Sequence, residues 1–202
     1  MFEVIAPFYD RAMRLLGVDY SAAVDGLALA RGDLVLDIGG GTGLGAQAAA
    51  NSVGCEVLIV DHSAAMLRHG HCGGHIRCVR GDAAHLPLGD TTIDGVLLLD
   101  ALHHFPQPAA ALAEIARVLK PGRRLALLEI DGHHPAVKFV ATAERLAGEP
   151  GVMWSPKQLV TMLQAAGLTP LDQRVSGFGV LATARRSAGY VESSLLRAQD
   201  RE

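Results

Sequence analysis

Short apolar runs alternate along the chain with longer stretches whose apolar positions recur at helical spacing. The runs at 33–38, 55–60, 75–80, 94–99 and 124–130 are compact and rich in Leu, Val and Ile, the pattern of strands buried on both faces. Between them, 43–52, 63–70 and 108–119 read as helices, the last stopped by Pro121 and Gly122 in "RVLKPG". Upstream, 2–16 and 21–30 read as helices, the second opened by Ser21 as its N-cap. Downstream, a helix with Ser155 as cap and Pro156 in its first turn runs to Gly167. The segment "LTPLDQRVSGFGVLATARR" then reads as two strands around a Ser176-Gly177 turn.

Repeated strand-helix units imply a parallel sheet with right-handed crossovers, and the terminal hairpin adds an antiparallel strand. The predicted fold is α/β and Rossmann-like: a seven-stranded, mostly parallel sheet with an antiparallel C-terminal strand and helices on both faces. One domain is expected over 1–186, with N-terminal helices in 1–30, a substrate lid in 131–154 and a polar tail over 187–202.

Composition narrows the picture. A chain of 202 residues, half of them hydrophobic, is long enough for one α/β domain with a substantial core and short for two. A net charge of -3, with no basic run longer than Arg123-Arg124 or Arg185-Arg186, gives no footprint for nucleic acid. Cys55, Cys72 and Cys78 are an odd set without CxxC spacing, so neither a disulfide framework nor a structural zinc site is predicted. No apolar run approaches the ~20 residues of a membrane helix, and the opening "MFEVIAPFYDRAM" lacks the pattern of a secretory signal. A cytoplasmic protein, not integral to a membrane, is expected.

Candidate chemistry begins at "LVLDIGGGTGLG", residues 34–45, where a glycine-rich turn follows a strand ending near a single acid, Asp37. One or two glycines would serve a tight turn; five imply backbone close to a ligand. A phosphate-cradling loop would need a lysine and a hydroxyl after its last glycine, and Gly45-Ala46 supplies neither. A dinucleotide fingerprint can be laid on Gly41, Gly43 and Ala46, with Asp61 at a suitable distance for a ribose. Asp37 argues against that rival, because a carboxylate repels a pyrophosphate and attracts the ammonium of a sulfonium nucleoside's amino-acid tail.

At these residues the chain resembles the class I S-adenosylmethionine-dependent methyltransferases, in the small-molecule branch that includes the menaquinone and ubiquinone C-methyltransferases. The resemblance runs from about residue 2 to 184 over "LVLDIGGGTG", "VDHSAAML", "VRGDAAHLPLGDTTIDGVLLLDALHHF" and "ALAEIARVLKPGRRLALLE", and "FEVIAPFYDRAMRLLG" is similar to the start of the quinone enzymes. It implies S-adenosylmethionine as cofactor. Asp37 and the backbone of Gly39, Gly41 and Gly43 would hold the methionine end, Asp61 the ribose hydroxyls, and Asp82 with the Ala83 backbone the adenine; His62 and Asp100 are further cofactor-side candidates. After the fourth strand the quinone enzymes' glycine, arginine and asparagine signature is replaced by "ALHHFPQP".

Methyl transfer from a sulfonium is an in-line displacement in which alignment and exclusion of water supply much of the acceleration. A base is needed only for a poor nucleophile. The fourth and fifth predicted strands end near Asp100, His103 and His104, and near Glu129, Asp131, His133 and His134. If those strands are neighbours, these groups share one rim, with His104 the first candidate for a general base and His103 the second. No helical HxxxH or fixed ligand spacing supports a metal there, and none is assigned. "HGHCGGHIRC", with His69, His71, Cys72, His75 and Cys78, reads as a surface loop and strand rather than a zinc site.

Phe2, Ile5, Phe8, Tyr9, Met13, Val137, Phe139, Val140, Met153 and Trp154 would give the site an apolar cover, suited to an apolar or aromatic acceptor. The expected activity is methyl transfer to such a small molecule, with no nucleic-acid partner and homodimerisation left open. Two other readings stand beside it: an NAD(P)-linked oxidoreductase, and a non-catalytic nucleoside-binding protein of the same fold.

Overall fold

The computed structural model describes residues 6–15, 19–131, 151–176 and 179–187. A single 3-10 turn at Ala6–Phe8 leads into α1 (Tyr9–Leu15), followed by α2 (Ser21–Gly26). Then come β1 (Leu34–Ile38), α3 (Leu44–Val53), β2 (Glu56–Asp61), α4 (Ala64–Arg68), β3 (Ile76–Arg80) and β4 (Ile93–Leu99). A 3-10 turn at Leu102–His104 precedes α5 (Pro108–Val118), β5 (Leu119–Ile130), α6 (Pro156–Ala165), β6 (Leu168–Ser176) and β7 (Gly179–Arg186).

The seven strands form one sheet in the order β3-β2-β1-β4-β5-β7-β6. The first five run parallel to one another, and β7 is antiparallel to both β5 and β6. The chain leaves β1 toward β2 on one side and reaches β4 on the other, so a crevice opens at the carboxyl ends of β1 and β4, where the strand order reverses.

Strand alternation feeds two apolar layers. Leu36, Ile38, Val96 and Leu98 pack on one face with Ile115 of α5 and Leu163 of α6. Val35, Val57, Leu97 and Leu99 pack on the other with Ala46 and Ala49 of α3 and Leu27 beyond α2. Each fully buried Leu or Ile contributes about 1.5–3 kcal/mol. Asp37 lies one position after Leu36, so its side chain is turned toward α3.

Four expectations change in detail. Ser21 is the first residue of α2 rather than its cap, and its amide and hydroxyl both donate to the Asp19 carboxylate. That helix ends at Gly26, whose missing side chain admits Thr183 of β7 at a distance no Cβ could accept. The segment placed at the end of the helix predicted over 108–119 instead opens β5: Leu119 pairs with Ile93, and a register shift carries the chain past Pro121 and Gly122 to Arg124 opposite Gly95. Sheet pairing there overrides the turn signal. Finally, Cys72 and Cys78 are joined in a disulfide, which their spacing of six residues did not announce, while Cys55 is a buried free thiol.

The Ser155 expectation matches the structure. Its hydroxyl accepts from the Gln158 amide and the Gln158 side chain accepts from the Ser155 amide, a reciprocal capping box with Pro156 in the first turn. Most of the expected lid, 132–150, and the tail from 188 lie outside the described residues, as do the residues 177–178 of the hairpin turn. Ser155→Ala should cost about 1 kcal/mol, read as a fall of about 2–4 °C in Tm by calorimetry.

Candidate functional site

The crevice holds a cavity of about 560 Å³, in the range of small-molecule sites. Its floor is the β1–α3 junction. Gly39, Gly41 and Gly43 all have positive φ, and Gly43 stands left-handed immediately before α3. A Cβ on Gly40 would fall 2.6 Å from the Asp37 carboxyl carbon, and one on Gly45 would fall 2.5 Å from Leu99 Cδ1 and 3.3 Å from Asp37 Oδ2. The glycines are thus set by proximity as well as by backbone conformation: a side chain on Gly40 would collide with the acid beneath it, and those on Gly39, Gly41, Gly43 and Gly45 with Ala101, Met66, Ile59 and Leu99.

Asp37 is 1% exposed, and neither carboxylate oxygen has a hydrogen-bond partner among the described residues. Burial pushes its pKa up to about 7; the nearby Ala46 amide works the other way, and the charge of Asp61 adds to the rise. A buried acid without a partner costs stability, so it marks a place where a ligand group can complete the structure.

Asp61 closes β2 and is already engaged. Its Oδ2 accepts from the Gly41 amide at 2.9 Å and its Oδ1 from the Ser63 amide at 2.7 Å. One carboxylate therefore fastens the glycine loop to the start of α4, whose N-cap is Ser63. His62 follows on the cavity wall with its side chain largely exposed, and its carbonyl accepts from Arg80 Nε. Asp82, Ala83 and Ala84 form the opposite edge. Asp82 accepts from the Ala84 amide and pairs with His85, which hold its carboxyl below the usual range.

The rim after β4 and β5 divides into two parts. The strands are neighbours, with Leu99 opposite Leu128 and the Asp100 amide donating to the Leu128 carbonyl. Asp100, at φ 53°, and His104 line the cavity. His103 turns inward: it is 4% exposed, and its Nδ1 lies 2.6 Å from Glu129 Oε2, while Glu129 Oε1 accepts the Leu102 amide. The His103 and His104 rings remain in contact, with centroids 3.9 Å apart. One donor atom each from Asp100, His103 and Glu129 lies within 4.8 Å of the others, although the Glu129 oxygens are spent on the two contacts just described. Asp131 is partly buried after β5, and His133 and His134 lie outside the described residues.

Two residues of the wall were read differently from sequence. Tyr9 counted only as part of an apolar cover and Tyr20 had no role, yet both line the cavity across from Asp37 and Asp100. Burial raises the pKa of Tyr9 well above the ordinary tyrosine range and pushes that of Tyr20 up to about 12, with Asp100 adding to both. They remain neutral hydroxyl donors at physiological pH. The chain has three tyrosines in all, and their scarcity was the one hint, since convergence of residues on α1 and before α2 is tertiary.

Of the other expected cover residues, Phe8 is 68% exposed beside Tyr9, and Trp154 packs against the α5–α6 core layer. Phe2, Ile5, Val137, Phe139 and Val140 lie outside the described residues. The His/Cys cluster does not converge: His71 pairs with Asp10, His75 with Glu56, and Cys72 with Cys78.

The lining thus carries four carboxylates, Asp37, Asp61, Asp82 and Asp100, with no lysine or arginine among its described residues. It is an acid-lined pocket at the switch point of a seven-stranded α/β sheet. The methyltransferase-domain family model matches residues 36–127, which hold the glycine loop, Asp61, Asp82 and the His104 turn. The chain belongs to the S-adenosylmethionine-dependent class I methyltransferase family, and the oxidoreductase reading falls with that assignment.

Its relatives include the demethylmenaquinone methyltransferase of Thermobifida fusca, 35% identical over 78% of this chain and 70% of that one. Another, from Renibacterium salmoninarum, is 34% identical over 67% of this chain and 58% of the relative, so the chain spans little more than half of that protein. The fold is similar to the Burkholderia thailandensis 1,6-didemethyltoxoflavin-N1-methyltransferase solved with bound 1,6-didemethyltoxoflavin and S-adenosylhomocysteine, with a TM-score of 0.68, 23% identity and coverage of 92% of this chain and 86% of that one.

Asp37 yields a prediction with a defined sign. Because its native pKa lies above the ordinary carboxylate value, the unfolded chain releases the proton first, and stability is lost as pH rises from roughly 4 until the native group ionises near 7. Asp37→Asn removes that loss. In ligand-free protein the substitution should leave Tm nearly unchanged at acid pH and raise it at pH about 8, as followed by differential scanning calorimetry. Equal Tm for both proteins at every pH would show that the Asp37 carboxylate is solvated.

Proposed function

We propose that this enzyme binds S-adenosylmethionine in the β1–β4 crevice and transfers its methyl group to a small apolar or aromatic acceptor lying between Tyr9, Tyr20, Asp100 and His104. The observation that carries the reading is the buried, unpartnered Asp37 carboxylate under the glycine loop, in a cavity lined by acids and without lysine or arginine among its described residues. A cofactor with an ammonium and a sulfonium fits that charge; a pyrophosphate does not.

In this reading Asp37 takes the ammonium, and the Gly39, Gly41 and Gly43 backbone approaches the amino-acid tail. Asp61 and His62 lie on the ribose side, Asp82 and Ala83 on the adenine side, and Asp100 closes the cofactor end near the acceptor. Asp61 has both oxygens on backbone amides, but each carboxylate oxygen has a second lone-pair direction for a ribose hydroxyl. The cofactor supplies an activated methyl group. The protein contributes alignment, exclusion of water and, for an acceptor that must lose a proton, His104 as base.

His103 acts differently. Its Nδ1 faces the buried Glu129 carboxylate, which suits it to fix the 3-10 turn that presents His104. An acceptor of quinone-precursor type is favoured by the demethylmenaquinone methyltransferases among the relatives. O-methyltransferases also appear among them, such as that of Aspergillus sclerotiorum at 30% identity over 72% of this chain, so the attacking atom is assigned by acceptor screening. With no helix among the described residues long and apolar enough to cross a membrane, we place the reaction in the cytoplasm.

Calorimetry should show micromolar binding of S-adenosylhomocysteine and none of NAD; equal or tighter NAD binding would remove the reading. Asp61→Ala should weaken S-adenosylhomocysteine binding by about 1–3 kcal/mol, since ribose hydroxyls and the Gly41 amide lose one acceptor. With the acceptor found by screening, His104→Ala should lower kcat by about 10²-fold and leave cofactor affinity nearly unchanged. Full activity of that variant would leave alignment as the sole contribution of this wall.

A further inference from the structure

The Cys72–Cys78 bridge lies outside the cavity, yet His71, the residue just before it, touches the cavity floor. The His71 amide donates to the Thr42 carbonyl of the glycine loop at 2.9 Å. On the other side, His71 Nε2 lies 2.6 Å from Asp10 Oδ2 of α1, the residue after Tyr9. His71 therefore joins the glycine loop to the helix that carries one wall of the cavity, and it is covalently adjacent to Cys72.

What holds His71 in place is otherwise slight. The segment from His69 to His75 lies between α4 and β3, and it contains Gly73 and Gly74, both with positive φ and both with open space where a side chain would stand. The His69 and Gly70 amides close α4, the His75 carbonyl accepts from the Val57 amide, and between these ends Gly73 and Ile76 bond to each other, so that Cys72 and Gly74 rest on the bridge and that one turn. Cys78, by contrast, sits in β3 with Ile59 of β2 opposite. The disulfide thus ties a glycine-rich segment to the sheet, with the Cα atoms 5.8 Å apart, within the ordinary range for a bridge. Cys72 is exposed and Cys78 partly exposed, so thiol reagents can reach the pair, whereas Cys55 is buried.

We propose that Cys72 and Cys78 form a reversible thiol–disulfide site that sets cofactor affinity, the oxidised state holding His71 against Thr42 and Asp10 and so preorganising the glycine loop and α1. With glutathione disulfide as oxidant, the Cys72 thiolate attacks one of its sulfurs, giving a mixed disulfide and one glutathione thiolate. The Cys78 thiolate then displaces the second glutathione from Cys72 Sγ. Two electrons pass from the cysteine pair to glutathione disulfide and the two thiol protons leave to solvent. In the reduced state the freed segment has its glycine entropy restored, and ligand binding must order it again.

This inference rests on the cofactor placement proposed above, so its test has one arm that needs no ligand. Full-length protein is equilibrated with glutathione disulfide or with dithiothreitol, and mass spectrometry counts the thiols. Amide hydrogen exchange is then measured at 39–46, at His71 and across α1, and S-adenosylhomocysteine affinity is measured by calorimetry. The oxidised form should exchange more slowly at all three places and bind about three- to tenfold tighter. Cys72→Ser/Cys78→Ser should behave as the reduced form in both buffers, with its far-ultraviolet dichroism confirming the fold.

Equal exchange in the two states overturns the inference whether or not the ligand binds. Failure of the bridge to form in glutathione disulfide, tighter binding by the reduced form, or a redox response that survives in the double variant also overturns it. Altered exchange together with absence of S-adenosylhomocysteine binding in both states would sink the cofactor placement and the affinity claim with it.

Discussion

A carboxylate buried without a hydrogen-bond partner among the described residues is the constraint around which the site is arranged. Asp37 sits where strand alternation turns a side chain toward α3, and its oxygens occupy the space that side chains on Gly40 and Gly45 would need. The desolvation that raises its pKa to about 7 is tolerated because the surrounding apolar layers are extensive and independent of it. In the proposed reading its charge is held in check until a cationic ligand arrives, which would couple proton release to binding.

The rest of the floor follows from keeping backbone close to that acid. Three residues with positive φ bring the chain over Asp37 and into α3, and Asp61, reaching from the neighbouring strand, fixes the loop through the Gly41 amide. The parallel register of β1 and β2 places those two carboxylates on adjacent strand ends. Their mutual repulsion raises the cost of ionising Asp37 further.

Most of the strands and helices were legible because each is a local pattern: a buried strand is apolar throughout and a surface helix keeps its period. Asp37 and Asp61 were legible for the same reason, as lone acids in apolar strands. The pieces that escaped are those whose meaning is set elsewhere in the chain. Residues 119–123 carry a turn signal and pair into β5 because Ile93 is available to Leu119. Tyr9 looks like a cover residue and Tyr20 like nothing in particular until α1 and the start of α2 meet at one cavity wall, and Cys72 and Cys78 pair only because the Gly73-Gly74 turn folds the segment back on β3.

Two adjacent histidines show how far a sequence reading can go in placing a wall. Both were candidates for the same role, and adjacency alone cannot separate them. The separation comes from β5: with Leu99 opposite Leu128, Glu129 reaches the turn after β4 and takes both the Leu102 amide and the His103 ring. A 3-10 turn of three residues anchored at those two points has little freedom left, so the next ring, His104, is directed at the cavity beside Asp100. Replacing Glu129 would therefore act on His104 without touching it, through a buried pair that loses its charge partner. The chemistry available to this wall is decided by strand register as much as by the residue that would carry it.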